Sequence, residues 1–324
     1  MITNNLINLL DEDPESFIAL TGCRVSDIFY QCCEHDILII GKRNDNAIIN
    51  DPINGLIEIY RINYESFIKF EDFELHRFLP MKVISNGSFS LSPNIIKIAN
   101  KFEVINNDYK KFKFIEITSN IQKAKEAMNQ ASFLDCNFWI LCAIYEIIEY
   151  LLVSNSIKLH PSHILEQLKK VNSKIDVNIC YSLMNLELAN KSSVKRKFNA
   201  INRSYLNSLG LFNQKSEITY LQIKLLKNKI DWMMNNKMHI NAYSFLEFEM
   251  IKLIKLIYSQ YCEYNQISLH QYKILSELIN NKEIEYNIPK STMNLISINN
   301  NEQIIKNKIN KVSTIVEELN KVSN

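Results

Sequence analysis

The chain has 324 residues, of which 47% are hydrophobic and 22% charged, a globular composition that excludes a disordered protein. Lys and Arg number 37 against 35 Asp and Glu, and this near balance leaves no electrostatic footprint for duplex nucleic acid. The length suits two domains.

Asn4 to Asp11 reads as a short helix, ended by the acidic stretch before Pro14. Phe17-Ile18-Ala19-Leu20 is a short apolar run broken by Thr21-Gly22, and Ile37-Leu38-Ile39-Ile40 is a second, ended by Gly41. Leu56 to Ile62 alternates apolar and polar residues, the period-2 pattern of a strand. Glu65 to Leu79 predicts a helix stopped by Pro80; Met81 to Ile84 predicts a strand, and Asn86-Gly87 a turn. From about residue 118 the periods become helical: Ile121–Gln130, Asn137–Val153, Pro161–Val171, Asn178–Asn190, Ser193–Leu209, Glu217–Asn235, Ala242–Tyr264 and Ser268–Asn280. Of the five glycines, Gly210 alone follows residue 87, at a predicted helix C-cap. A long glycine-poor stretch rich in Leu and Ile predicts a helical bundle. Asparagine-rich residues 281–302 read as a linker. Beyond them Ile305, Ile309, Val312, Val316 and Leu319 recur at heptad-like spacing. Such a helix either packs back on its own bundle or pairs with a second copy in a homodimer. The fold class is therefore α+β: a mixed α/β domain over 1–115, a helical bundle over 116–280, and a linker with an amphipathic helix over 281–324.

The N-terminus lacks the basic and apolar regions of a signal peptide. The longest apolar run, Phe138 to Val153, is interrupted by Glu146 and Glu149 and falls short of the roughly 20 residues a membrane helix needs. Seven cysteines, an odd number without a C-x-x-C pair, read as free thiols in a reducing compartment and predict no zinc site. The expected location is cytoplasmic, away from membranes.

Chemistry concentrates between Phe17 and Ile40. A short strand leads into the Thr21-Gly22 turn, and a second strand opens on Glu34-His35-Asp36. Alternation sets Glu34 and Asp36 on one face and turns His35 away. Two adjacent carboxylates repel unless a cation lies between them, and hard oxygen ligands suit Mg²⁺ or Mn²⁺. Gly22 lets the backbone turn tightly enough for its N–H groups to approach a phosphate. Arg24 could hold that phosphate bidentately or make a surface ion pair.

This segment resembles the nucleotidyltransferase superfamily related to polymerase beta, especially its small and antibiotic-modifying members. The family pattern is Gly-Ser, roughly ten residues, acidic-x-acidic, then a third acid on a later strand. Here Gly22-Cys23 stands in the Gly-Ser position, ten residues follow, and Glu34-His35-Asp36 stands in the acidic-x-acidic position. Leu56-Ile57-Glu58-Ile59-Tyr60 looks like the later strand, with Glu58 as third acid. Cys23 departs from the family serine and is the weaker donor to phosphate. Val25-Ser26-Asp27 and Glu34 depart as well, Asp27 by adding negative charge near a triphosphate.

The resemblance implies divalent ions held by Glu34, Asp36 and Glu58. It implies an NTP whose phosphates meet Thr21, Gly22, Cys23 and Arg24, Glu58 as ligand or base, and a helical half covering the cleft. The implied reaction transfers a nucleoside monophosphate to a hydroxyl acceptor, a small molecule before an RNA or a protein. The alternative is a catalytically degenerate scaffold or nucleotide sensor, and a third reading is a purely helical interaction protein. Among other residues, Glu146 is a speculative base or the partner of a Lys or Arg. His160 and His163, three apart at a helix start, could ligate a metal but read first as exposed capping residues; Lys195-Arg196-Lys197 with Arg203 could contact nucleic acid but reads first as a solvated basic face. Trp139, Trp232, Met233 and Met234 read as core.

Overall fold

The computed structural model describes residues 13–26, 28–51, 55–173, 175–209, 220–266, 272–280 and 301–323. The helix expected at Asn4–Asp11, Asp27, the Gly210 cap and the linker up to residue 300 lie outside them.

Five strands form one mixed sheet in the order β3-β4-β2-β1-β5. They are β1 (Phe17–Thr21), β2 (His35–Gly41), β3 (Asn46–Asp51), β4 (Gly55–Asn63) and β5 (Lys82–Ser85). Central β2 runs parallel to β4 and antiparallel to β1. Ile37, Leu38, Ile39 and Ile40 are each at most 1% exposed, because this strand is covered on both faces. An uninterrupted apolar run is the sequence signature of that position. β4 keeps its alternation: Ile57 and Ile59 join one face with Ile37 and Ile39, while Glu58 and Tyr60 lie on the other with Asp36 and Leu38.

The helix predicted over 65–79 is broken into α1 (Tyr64–Phe67), α2 (Asp72–Leu75) and a 3₁₀ turn (His76–Phe78). Asn63 caps the first by accepting from the Ser66 N–H at 2.8 Å. Glu71 and Glu74 form a capping box that begins a new helix at Asp72. Local capping therefore overrides a continuous apolar period. Phe67, Leu75, Phe78 and Leu79 pack with Ile95 and Ile98 of α3 (Pro93–Asn100) onto Phe17, Ala19, Leu38 and Ile40 of the sheet.

Helix α4 (Phe102–Asn129) starts well before the predicted Ile121. Its polar early turns hide the period, but Ile105 is buried in the sheet-face core and Ile117 in the bundle core. Residue 115 thus lies inside one helix shared by both halves. Next comes α5 (Phe133–Ser154), which is longer than the predicted run. By length and composition it could cross a membrane, yet 89% of its apolar window is buried within this chain, as in the core helix of a bundle.

Around it stand α6 (Ile164–Leu168), α7 (Val177–Leu183), α8 (Lys191–Leu209), α9 (Tyr220–Asn235), α10 (His239–Asn265) and α11 (Ile274–Asn280). The C-terminal α12 (Glu302–Ser323) packs on α4 and α5 of its own chain. It buries Ile305, Ile309, Val312 and Leu319, with Ile315 rather than Val316 completing the stripe.

Ion pairs inside the bundle correct the reading of Lys197 and decide that of Glu146. Lys197 is 1% exposed and bonds Glu247 of α10 at 3.0 Å, so it is no part of a solvated basic face. Glu146, the speculative base, pairs with Lys113 at 2.7 Å and Lys255 at 3.5 Å.

Candidate metal and nucleotide site

The site begins at Gly22, where β1 ends. Its φ of +74° is open to glycine and strained for other residues. A Cβ there would lie 1.7 Å from Asp36 Oδ2, so the Asp36 carboxylate rests directly on the glycine backbone. A 3₁₀ turn over Cys23–Val25 follows. Arg24 then folds back, its Nε donating to the carbonyls of Cys33 at 2.9 Å and Glu34 at 3.0 Å. The guanidinium is thereby a buckle that closes the loop between β1 and β2. Gly22→Ala is expected to cost about 1–3 kcal/mol from backbone strain alone. Urea denaturation measures that loss, and loss of divalent-cation binding would accompany displacement of Asp36.

Strand register gathers the acids. Asp36 pairs with Thr21 across the antiparallel ladder and with Glu58 across the parallel one. Glu34, one step before β2, points the same way. The carboxylate oxygens of Glu34, Asp36 and Glu58 lie within 4.8 Å of one another. The Thr21 hydroxyl donates to the Asp36 carbonyl at 3.4 Å.

The helical half covers this trio with cations that no local motif announces. Lys229 of α9 donates to Glu34 Oε1 at 2.7 Å. Glu34 Oε2 is buried without a hydrogen-bond partner among the described residues. Lys158, between α5 and α6, donates to the Arg77 carbonyl and acts on Asp36 through its charge. Lys252 of α10 acts similarly on Glu58.

Burial, then the Glu34 charge, holds Asp36 well above the usual carboxylate range, and burial raises Glu58 too. Burial lowers Lys158 to about 8. Burial also pulls on Lys229, but the Glu34 carboxylate outweighs it and keeps the ammonium protonated. The acids therefore gain from any added positive charge. Three converging carboxylates, one with an unpartnered oxygen, fit a hard divalent cation.

A pH dependence follows. Carboxylates with raised folded pKa values stabilise most below their ordinary values of 3.8 for Asp36 and 4.5 for Glu58. That stability is lost as pH rises through the folded values. The metal-free protein is expected to lose melting temperature as pH rises above those ordinary values of 3.8 and 4.5. Mg²⁺ or Mn²⁺ should restore more at higher pH, as differential scanning fluorimetry would record.

Beside the acids lies a second cluster. The spacing of the cysteines predicts unconnected thiols, and all seven are indeed free. The Arg24 buckle nonetheless brings the start and end of the loop together, and Cys23, Cys33 and His163 converge within 4.8 Å. His160 and His163, expected at the surface, are 6% and 0% exposed. They are buried because the Pro161–His163 turn packs into the junction between the halves. Tyr30 seals this junction, stacking on Trp232 at 4.9 Å and tilting against His163 at 4.1 Å. Trp232 thus serves the interface rather than the bundle centre, whereas Trp139 and Met233 are core.

No family model matches this chain, and no curated protein matches it. Among solved structures, a nucleotidyltransferase-like protein from Exiguobacterium sibiricum 255-15 is similar at 10% identity and a TM-score of 0.32. The similarity covers 80% of this chain and 77% of that one.

Proposed function

We propose that this protein is a divalent-metal-dependent nucleotidyltransferase acting on an NTP and a hydroxyl-bearing small molecule. The observation that carries the reading is the meeting of Glu34, Asp36 and Glu58 beside the Gly22 turn. Glu34 and Asp36 would hold Mg²⁺ or Mn²⁺, with Glu58 completing the set. When bound, the ion supplies charge neutralisation at the phosphates and at the leaving pyrophosphate.

The chain's own groups do the rest. Backbone N–H groups of Gly22 and Cys23 face the phosphates, with Thr21 fixing the strand end behind them. Arg24 keeps the loop in shape through the carbonyls it binds. Lys229 and Lys158 bring positive charge to the same point and suit a triphosphate's negative charge. Glu58, whose carboxylate burial makes more basic than usual, is placed to accept the acceptor's hydroxyl proton. The acceptor oxygen bonds to the α-phosphorus, the α–β bridging bond breaks, and pyrophosphate departs.

A second reading has its own support. Lys229 sits at 2.7 Å from Glu34 Oε1, where an ammonium can do the neutralising work of a metal. The protein would then be a degenerate scaffold or nucleotide sensor.

The test is calorimetric titration of the full chain with Mg²⁺-NTPs, followed by a pyrophosphate-release assay across hydroxyl acceptors. Release supports the enzyme. Binding without release across the panel supports the sensor, and no binding of any NTP overturns enzyme and sensor alike and leaves the scaffold.

A further inference from the structure

We infer that Cys23, Cys33 and His163 form a zinc site that staples the helical half to the loop entering β2. Tetrahedral zinc, with bonds of about 2.3 Å to sulfur and 2.0–2.1 Å to nitrogen, spaces its ligand atoms about 3.5–3.8 Å apart. Here the three donor atoms all lie within 4.8 Å of one another, and Cys33 Sγ is 3.3 Å from His163 Nε2. Small side-chain adjustments suffice to receive the ion.

Burial makes the cluster more than a coincidence of thiols. Cys23, Cys33 and His163 are 5%, 3% and 0% exposed. His163 Nδ1 is buried with no hydrogen-bond partner. The ring's hydrogen bond, among the described residues, is the one Nε2 makes with Cys33. A buried imidazole whose polar edge meets two sulfurs is the chemistry of a metal ligand. Cys32, half-buried and next in the chain to Cys33, is a fourth thiol beside the cluster, and solvent can supply the remaining position. On binding, each ligating thiol gives its proton to solvent and forms a zinc–sulfur bond.

Two centres would then lie side by side and sort ions by ligand softness. Sulfur and imidazole select zinc, and the carboxylate trio selects magnesium or manganese. Cys23 follows Gly22 and Cys33 precedes Glu34 in the chain. Zinc would therefore brace both shoulders of the carboxylate site from outside it. This inference stands whether or not the carboxylates bind a nucleotide.

Elemental analysis of the full chain, purified in reducing buffer with zinc and without chelator, tests it. Stoichiometric zinc is expected in the unmodified protein and in Asp36→Asn, with at least a tenfold reduction in Cys33→Ser and His163→Ala. Retention of zinc by both of those variants, or its loss in Asp36→Asn, would overturn the assignment. Cobalt loaded into the unmodified protein gives a readout that no variant's folding can obscure. A thiolate-to-cobalt charge-transfer band with tetrahedral d–d bands supports the site. Bands of octahedral, oxygen-only cobalt, or none, would overturn it.

Discussion

Asp36→Asn is expected to lower Mg²⁺-dependent nucleotide affinity by on the order of a hundredfold or more while leaving the fold intact. Losing even an outer-shell partner of a metal typically costs 10–100-fold, so losing a ligand costs at least that. The fold should survive for a specific reason. Asp36 is a buried carboxylate already held well above its usual pKa, so its charge works against the metal-free state. An amide of the same shape removes that strain and still fits against Gly22. The melting temperature without metal should therefore be unchanged or higher, and the gain should grow with pH. Calorimetry with Mg²⁺-NTP, paired with thermal melts across pH, reads both effects. Equal affinity in variant and parent would remove Asp36 from the site. A lower melting temperature at neutral pH would instead mean that the carboxylate is bonded in the fold and does not await a cation.

How much of this was legible in the sequence depends on range. Ile37 to Ile40 read as an apolar run continuing the strand that opens on Glu34, and Glu58 fell on the right face because alternation is a local property. The pairing of Glu34 with Asp36 followed from alternation, and the family resemblance implied Glu58 as the third acid. What stayed hidden came from afar or from competing local signals. Lys229 reaches Glu34 across 195 positions, and His163 reaches Cys33 across 130. No periodicity encodes such proximity. His163 read as a surface group, because an imidazole defaults to solvent when its partner is unknown, and Lys229 carried no local signal at all. The Glu71–Glu74 capping box was visible in principle, but the apolar period around it was louder. Arg24 read as a phosphate ligand because a guanidinium beside a glycine turn suits one. In the fold, backbone carbonyls of its own loop engage it.

Lys229→Met separates the two readings of the carboxylate site. The ammonium bonds Glu34 and acts on Asp36 through its charge, and its removal leaves buried Glu34 and two part-buried acids without that cation. Removing one partner of a buried pair typically costs about 3–5 kcal/mol, most of it the penalty of the charge left behind. Without metal, the variant should lose stability by that amount in urea denaturation. The loss should shrink at low pH as the carboxylates take up protons. Methionine keeps most of the side-chain length, so packing against Phe245 changes little.

If the trio is a metal site, Mg²⁺ or Mn²⁺ no longer competes with the ammonium for Glu34 Oε1. The ion then binds the variant more tightly than the parent and returns most of the lost stability. If Lys229 is itself the resident cation of a degenerate site, added divalent ions return little, because the geometry is tuned to one ammonium with directed hydrogen bonds. The two outcomes differ by several kcal/mol at saturating metal, well beyond the error of the measurement. A variant as stable as the parent without metal would sink both readings, since each makes Lys229 the cation bonded to Glu34.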